Sequence, residues 1–346
     1  MIDSREQQII DFIKQRGACS SKEVHDNVDI SVSYATLKRV LSKLITDSYL
    51  VTVGQGKGTK YTISPTFELL APIDIEKYYE EEIDDRAIKD SFNFSIINDV
   101  LAKNSVFTET ELEKLNLLQA KFRHNISQLS EFEYKKEFER LAIDLSWKSS
   151  QIEGNRYSLL ETESLLKDRE TASGKTKEEA IMLLNHKEAL DFLIENTDYL
   201  NPLSVSKIED IHSILTKELL IDRNLRKRRV GILGTNYRPL DNESQISEAL
   251  RNSCDVINSK KSVFEKALLA LVLISYIQPF MDGNKRTARI VSNAILMNEK
   301  HCPLSFRTVD SIGYKKAMLL FYEQNNISKF KEIFINQFEF AVKTYF

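Results

Sequence analysis

Residues 275–289 read SYIQPFMDGNKRTAR. An apolar helix ends at Ile277, and Pro279, Asp282, Gly283 and Asn284 form a turn. A second helix is expected from about Lys285 to Asn298. This places a short loop at a helix N-terminus, where free N–H groups, a glycine that permits close backbone approach and the positive dipole end together favour a phosphate. Lys285, Arg286 and Arg289 add side-chain charge, and the last two, three residues apart, share a helix face. Asp282 beside a polyphosphate is a natural magnesium ligand, because that ion takes one or two carboxylates plus phosphate oxygens.

These residues resemble the Fic (Fido) family, whose core pattern is His-x-Phe-x-Asp/Glu-Gly-Asn-Gly/Lys-Arg-x-x-Arg. Phe280, Asp282, Gly283, Asn284, Lys285, Arg286 and Arg289 fill their places. The resemblance implies an ATP-binding protein adenylyltransferase that transfers AMP to a protein hydroxyl. Asp282 would hold Mg2+, Gly283, Asn284 and Lys285 would surround the α and β phosphates, Arg286 would meet the β phosphate and Arg289 the γ phosphate. Gln278 stands where the family has its histidine general base. An amide can orient a hydroxyl but cannot take its proton, so a weakened descendant is implied alongside an active enzyme. Lys285 in place of the commoner glycine is similar to the Doc-type branch, which transfers a phosphoryl group, so AMP and phosphoryl transfer both stay open.

Upstream, residues 149–155 read SSQIEGN and resemble the family's autoinhibitory pattern through Ser149, Glu153 and Gly154. The resemblance implies that Glu153 pairs with Arg289 and takes the guanidinium that would otherwise hold the γ phosphate. A plain helix end capped by Gly154 and Asn155 is the alternative. Between these motifs, Val230, Ile232 and Leu233 sit among Gly231, Gly234 and Asn236. A short hairpin fits residues 229–237 better than a helix, and it resembles the family's flap, with Gly234, Thr235, Asn236 and Tyr237 at its end. The basic run 223–229 reads more as a solvated face than as a target or phosphate contact, and both stay open. The five histidines show no ligand spacing and are expected to be surface or core residues.

The rest of the C-terminal part is dominated by helical periodicity, as in residues 109–125, 131–150 and 263–277. Residues 1–66 differ. Ile9, Ile10, Phe12 and Ile13 follow the helical period behind a cap at Ser4, and Gly17 ends that helix. A short helix fits residues 21–27. A third helix starts near Ser33, with Ala35, Leu37, Val40, Leu41 and Leu44 on its buried stripe. Strands at 49–53 and 60–63 flank the GQGKG tip. This order resembles a winged helix-turn-helix, which implies duplex DNA contact through Ser33, Tyr34, Lys38 and Arg39, with Lys57 and Lys60 near phosphates. Nine basic against seven acidic residues leave the unit only mildly basic, so a protein-docking role stays open. Residues 67–129, with an acidic run at 74–85, read as a solvated linker and helical connection. The Fic part is expected over 130–346, with the inhibitory helix near 140–155.

The expected fold is thus mainly α: an N-terminal winged helix-turn-helix and an all-α Fic fold with a small β-hairpin flap. Of 346 residues, 42% are hydrophobic and 29% charged, which is globular usage. No apolar run is long enough to span a membrane, and three scattered cysteines suit a reducing compartment, so a cytoplasmic protein is expected. A net charge of −3 leaves any nucleic-acid affinity to a local patch. Two functions follow. One is the Fic-type transferase acting on a protein target. The other is a DNA-binding transcriptional regulator whose Fic-like part senses nucleotide without turnover. A homodimer is compatible with both.

Overall fold

The computed structural model describes residues 2–29 and 32–346, apart from the side chain of Lys57. The N-terminal unit holds α1 (Ser4–Arg16), α2 (Ser21–Asn27), α3 (Tyr34–Thr46), β1 (Leu50–Val53) and β2 (Lys60–Ile63). α1 begins one residue earlier than expected. Asp3, not Ser4, is the cap: its carboxylate accepts from the Glu6 amide, and the Glu6 carboxylate accepts from the Asp3 amide. Aspartate with glutamate three positions on satisfies two orphan donors at once. The strands pair antiparallel, Leu50 opposite Ile63 and Val53 opposite Lys60. Ile9, Ile10, Ile13, Val24, Leu37, Leu41, Leu44 and Leu50 form a small core of their own. Ala35 is exposed, so the buried stripe of α3 is narrower than its apolar pattern suggests.

Two short helices follow, α4 (Phe67–Leu70) and α5 (Ile75–Tyr78), then a π-helical turn at Ile96–Leu101. The long helices are α6 (Glu109–Ser127), α7 (Glu131–Ile152), α8 (Leu159–Asp168), α9 (Lys177–Glu195), α10 (Val205–Leu215) and α11 (Glu243–Ser259). They continue with α12 (Val263–Ile277), α13 (Asn284–Asn298), α14 (Ser311–Gln324) and α15 (Ser328–Thr344). α12 is buried at every position from 267 to 277. A helix apolar on all sides has to be central, and α11, α13, α14 and α15 pack around it.

Two expectations are corrected. Residues 67–129 are no solvated linker, since Leu69, Leu70, Ile96, Ile97, Leu101, Val106, Phe107, Leu115 and Phe122 all enter the large core. The acids of the 74–85 run do face outward, but apolar and aromatic residues alternate with them, and Ile75, Tyr78, Tyr79 and Ile83 are half-buried. Residues 229–237 form no hairpin. The β1–β2 pair is the only sheet among the described residues, and near the flap there is one isolated parallel bridge, Ser91 with Arg238. Two strands this short would be marginal alone, and Gly231 and Gly234 weaken them further.

The two cores predict separable responses. Leu271→Ala is expected to cost about 2–5 kcal/mol of unfolding free energy in urea. Leu41→Ala is expected to raise amide exchange across α1–α3 while α12 keeps its protection; equal loss in α12 would show one cooperative unit instead.

Candidate active site

α12 ends at Gln278, whose left-handed backbone (φ 52°, ψ 57°) caps the helix and whose amide donates to Ile274 O. The loop after it is closed by Asn284. The Asn284 Oδ1 accepts from the Phe280 amide at 2.8 Å, while Nδ2 donates to Phe280 O at 2.8 Å and to Gln278 Oε1 at 3.0 Å. Gly283 begins α13 with φ +80° and no side-chain cap, so amides at that helix end are left for a ligand. A Cβ at Gly283 would stand 3.4 Å from the His212 ring and from Thr216, an ordinary contact, so it is the backbone angle that favours glycine. His212 stacks flat on Phe280 at 3.7 Å, and its Nε2 lies 2.9 Å from Asp282 O. From the side, the buried Arg226 donates its Nε to Gln278 O at 2.6 Å, and its amide donates to Pro279 O.

Three cations stand near the loop. Arg289 has no exposed surface; its Nε donates to Ser149 Oγ at 2.8 Å, and its Nη2 to Ser149 O at 2.9 Å and Glu153 Oε1 at 2.8 Å. Lys285 Nζ stands 3.9 Å from Glu153 Oε2, and Arg286 Nη2 stands 3.8 Å from Asp282 Oδ2. The Asp282 side chain is 70% exposed, with Oδ1 accepting from the Gly283 amide. Among the described residues no cluster of three His, Cys, Asp or Glu could hold a metal alone. One exposed carboxylate still suits an ion that takes its other ligands from phosphates and water.

A cavity of about 480 Å³ opens over this loop. Glu153, Gln278, Asp282, Gly283, Asn284, Lys285 and Arg286 line it, together with Val230, Gly231, Ile232, Leu233, Gly234, Lys315, Met318, Leu319 and Tyr322. Several expected site residues stand differently from their expectation. The Asn284 side chain is wholly engaged in the loop, because its three hydrogen bonds define the turn, so only its backbone faces a ligand. Of the flap residues, Gly234 lines the cavity. Thr235 accepts from the Tyr237 amide, Asn236 points away to Asp84, and Tyr237 is buried, stacked on Tyr322 at 5.2 Å. The expected DNA contacts lie on the small unit, and none lines the cavity. Ser33 caps α3, the Tyr34 hydroxyl meets Ser21 Oγ, and Lys38 sits over the Tyr34 and Tyr61 rings. Arg39 and Lys60 are exposed, and the Lys57 side chain lies outside the described residues.

His212, Arg226 and Tyr322 belong to the site and were not anticipated. His212 on α10 and Thr216 at its C-cap sit four apart, a spacing that puts both on one face, but only the fold shows what that face meets. Burial pushes His212 down to about 4, so its ring is neutral. Burial alone would raise the Glu153 carboxyl, but Arg289, Lys285 and Arg286 outweigh it and hold the group below its usual range. Burial draws Arg286 down. Burial likewise opposes the charge on Arg289, yet Tyr314 and Glu153 more than offset it.

The neutral His212 has a consequence for stability. In the unfolded chain it titrates near ~6.5, so between that pH and about 4 the unfolded state binds more protons. Stability is therefore full above that window and falls as pH drops through it, by about 2 kcal/mol between pH 7 and 5. Urea titrations at the two pH values should show His212→Gln losing about that much less than the parent; equal losses would refute the assignment.

A Fic/DOC family profile matches residues 202–296. The protein adenylyltransferase Fic of Nematostella vectensis is 30% identical over 179 residues, 48% of this chain and 40% of that protein. The protein adenylyltransferase fic-1 of Caenorhabditis elegans is 27% identical over 161 residues, 44% of this chain and 31% of that one. The matches thus span well under half the length of these relatives. In fold, the structure is similar to C. elegans Fic-1 (residues 134–508) with TM-score 0.60 and 18% identity, covering 68% of this chain and 72% of that one. It is also similar to a Fic domain containing signaling protein from Bacteroides thetaiotaomicron, with TM-score 0.56 and 18% identity, covering 67% and 96%. The profile places a Fic/DOC domain at residues 202–296, and the fold is similar to that of solved Fic proteins.

Proposed function

We propose that this protein binds ATP in the cavity above α13 and is a protein adenylyltransferase held in a resting state by Glu153. The observation that carries the proposal is the Arg289–Glu153 pair, a fully buried guanidinium bonded at 2.8 Å to a carboxylate on the cavity wall. The triphosphate would lie at the N-terminus of α13, with Arg286 and Lys285 beside it and Arg289 available for the γ phosphate once Glu153 withdraws. Asp282 would hold Mg2+, whose chemistry is neutralisation of phosphate charge. In transfer, an oxygen of a protein hydroxyl bonds to the α phosphorus, pyrophosphate leaves, and the hydroxyl proton must go elsewhere.

No unengaged base stands at the loop: of the two carboxylates on the cavity wall, Glu153 is paired with Arg289, and Asp282 is assigned to Mg2+. Gln278 Nε2 donates to Ser275 O and the Tyr322 hydroxyl, and Oε1 accepts from Asn284. The amide is held in place and has no titratable state near neutrality. Burial pushes the Tyr322 hydroxyl far up, so it stays protonated, and no histidine lines the cavity. The reaction in this chain is thus slow, driven by positioning and electrostatics, with loss of a base worth about 10²–10⁴ in rate. A second reading, DNA binding by the N-terminal unit, is favoured by the exposure of Tyr34, Arg39 and Lys60 around α3 and β2.

Side-by-side incubation with α-labelled and γ-labelled ATP tests the first reading. Glu153→Gly should bind ATP more tightly in calorimetry. Gln278→His with Glu153→Gly should incorporate α label, by more than the sum of the single variants. Tight ATP binding by the double variant with no incorporation of either label would end the transferase proposal, and γ label alone would mean phosphoryl transfer. For the second reading, duplex DNA retention by the full chain at low salt should weaken steeply as salt rises and drop with Arg39→Glu; absence of retention at low salt would leave the unit to protein docking.

A further inference from the structure

A buried charged cluster outside the cavity ties the flap to the chain segment before α6. Arg86 and Glu323 are almost wholly buried, with side chains 4% and 1% exposed, and Arg86 Nη1 lies 3.5 Å from Glu323 Oε2. The other fork nitrogen, Nη2, donates to Gly234 O at 2.8 Å, and Gly234 is on the cavity wall. Tyr78 donates its hydroxyl to Glu323 Oε2 at 2.7 Å, and the Lys89 amide donates to Glu323 O at 2.8 Å. Two more ties run in parallel: Asn236 Nδ2 to Asp84 Oδ1 at 2.9 Å, and the Arg238 amide to Asp90 O at 2.9 Å. The flap thus has three anchors on residues 84–90 and, as shown above, no ladder of its own.

The pair is not there for stability alone. Arg86 Nε and Glu323 Oε1 are buried without a partner, and an incompletely satisfied buried pair contributes little net stability compared with apolar replacements. What it adds is geometry: a planar fork reaches a carboxylate and a backbone carbonyl at once, which an ammonium cannot do in the same way. We propose that residues 84–90 are a strap that positions the flap over the cavity, with Arg86 as its central positioning residue. Its consequence for catalysis rests on the transferase reading above: a flap held at one height keeps the incoming hydroxyl in line with the phosphate, and a loose flap does not.

Spin labelling tests the strap without any activity. Leu233 is 98% exposed on the flap, and Leu117 is exposed on α6, while the three native cysteines are buried. Nitroxides at Leu233→Cys and Leu117→Cys should give one narrow distance distribution in the parent. Arg86→Lys keeps a charge for Glu323 but loses the fork, and is expected to broaden that distribution about twofold with little change in melting temperature. Arg86→Gln with Glu323→Gln removes both charges, so that neither is stranded, and should broaden it as well. Unchanged distributions in both variants, or broadening matched by loss of amide protection in α12 and α13, would overturn the proposal. In the Glu153→Gly, Gln278→His background, Arg86→Lys should lower self-labelling from α-labelled ATP several-fold while ATP affinity stays within about twofold. Self-labelling that is present and unchanged by Arg86→Lys would also overturn the positioning role. Absence of labelling in every variant would count against the transferase reading, and the distance distributions would still decide the strap.

Discussion

A guanidinium without exposed surface sits where α7 meets α13, and much of the larger unit is arranged around its charge. Arg289 cannot remain buried unless an anion or several acceptors compensate it. Ser149 and Glu153 supply these from α7, and the Tyr314 ring lies beneath at 5.3 Å. His186 is buried nearby and held neutral, first by burial and then by the two arginines. Even so, Arg289 Nη1 has no partner. Three cations, Lys285, Arg286 and Arg289, face two carboxylates, Glu153 and Asp282. That surplus of positive charge at a helix N-terminus makes an anion the natural occupant, and the same surplus explains why Glu153 stays ionised at a partly desolvated position.

Gln278 shows that the shape of a loop and its capacity for proton transfer make separate demands. Its two amide ends satisfy Asn284 on one side and Tyr322 with Ser275 O on the other, so the loop stays closed and the αL cap stays in place. Shape needs only a donor and an acceptor in the right places. Proton transfer needs a group that exists in two protonation states near working pH, and an amide does not.

The helical architecture and the motif loop were legible because they rest on local rules. Period, caps and the Pro-Asp-Gly-Asn turn placed α12 and α13 to within a residue, and the Asp3 cap differed from the expected Ser4 by one position because two capping residues stand side by side. What failed was long-range. The acidic run looked solvated since its acids are solvated; nothing local says that the residues between them pack on α14. The flap looked like a hairpin since glycines and β-branched residues alternate there, yet its anchors are Asp84, Arg86 and Asp90, more than a hundred residues upstream. Asn284 matched the pattern in identity, but its side chain serves the turn and not the cavity, a distinction only geometry makes.

The site therefore has a rigid half and an adaptable half. Arg226 stands among the carbonyls that end α12, and its Nε donates to Gln278 O, where the helix leaves that acceptor without a backbone donor. His212 supports Phe280 from below, and Asn284 closes the turn from within. These contacts are buried and short, so the loop and the two central helices present a fixed surface to a phosphate. On the opposite side, Glu153 caps the end of α7 and the flap hangs on side-chain ties without a ladder. The Glu153 contact can be exchanged for a phosphate, because Arg289 then keeps an anionic partner and Glu153 regains solvent, whereas the buried Arg86–Glu323 tie would strand two charges if it broke. On the proposed transferase reading, a site that is first kept silent and then admits a nucleotide needs that asymmetry, with precision placed under the phosphates and an exchangeable carboxylate beside them.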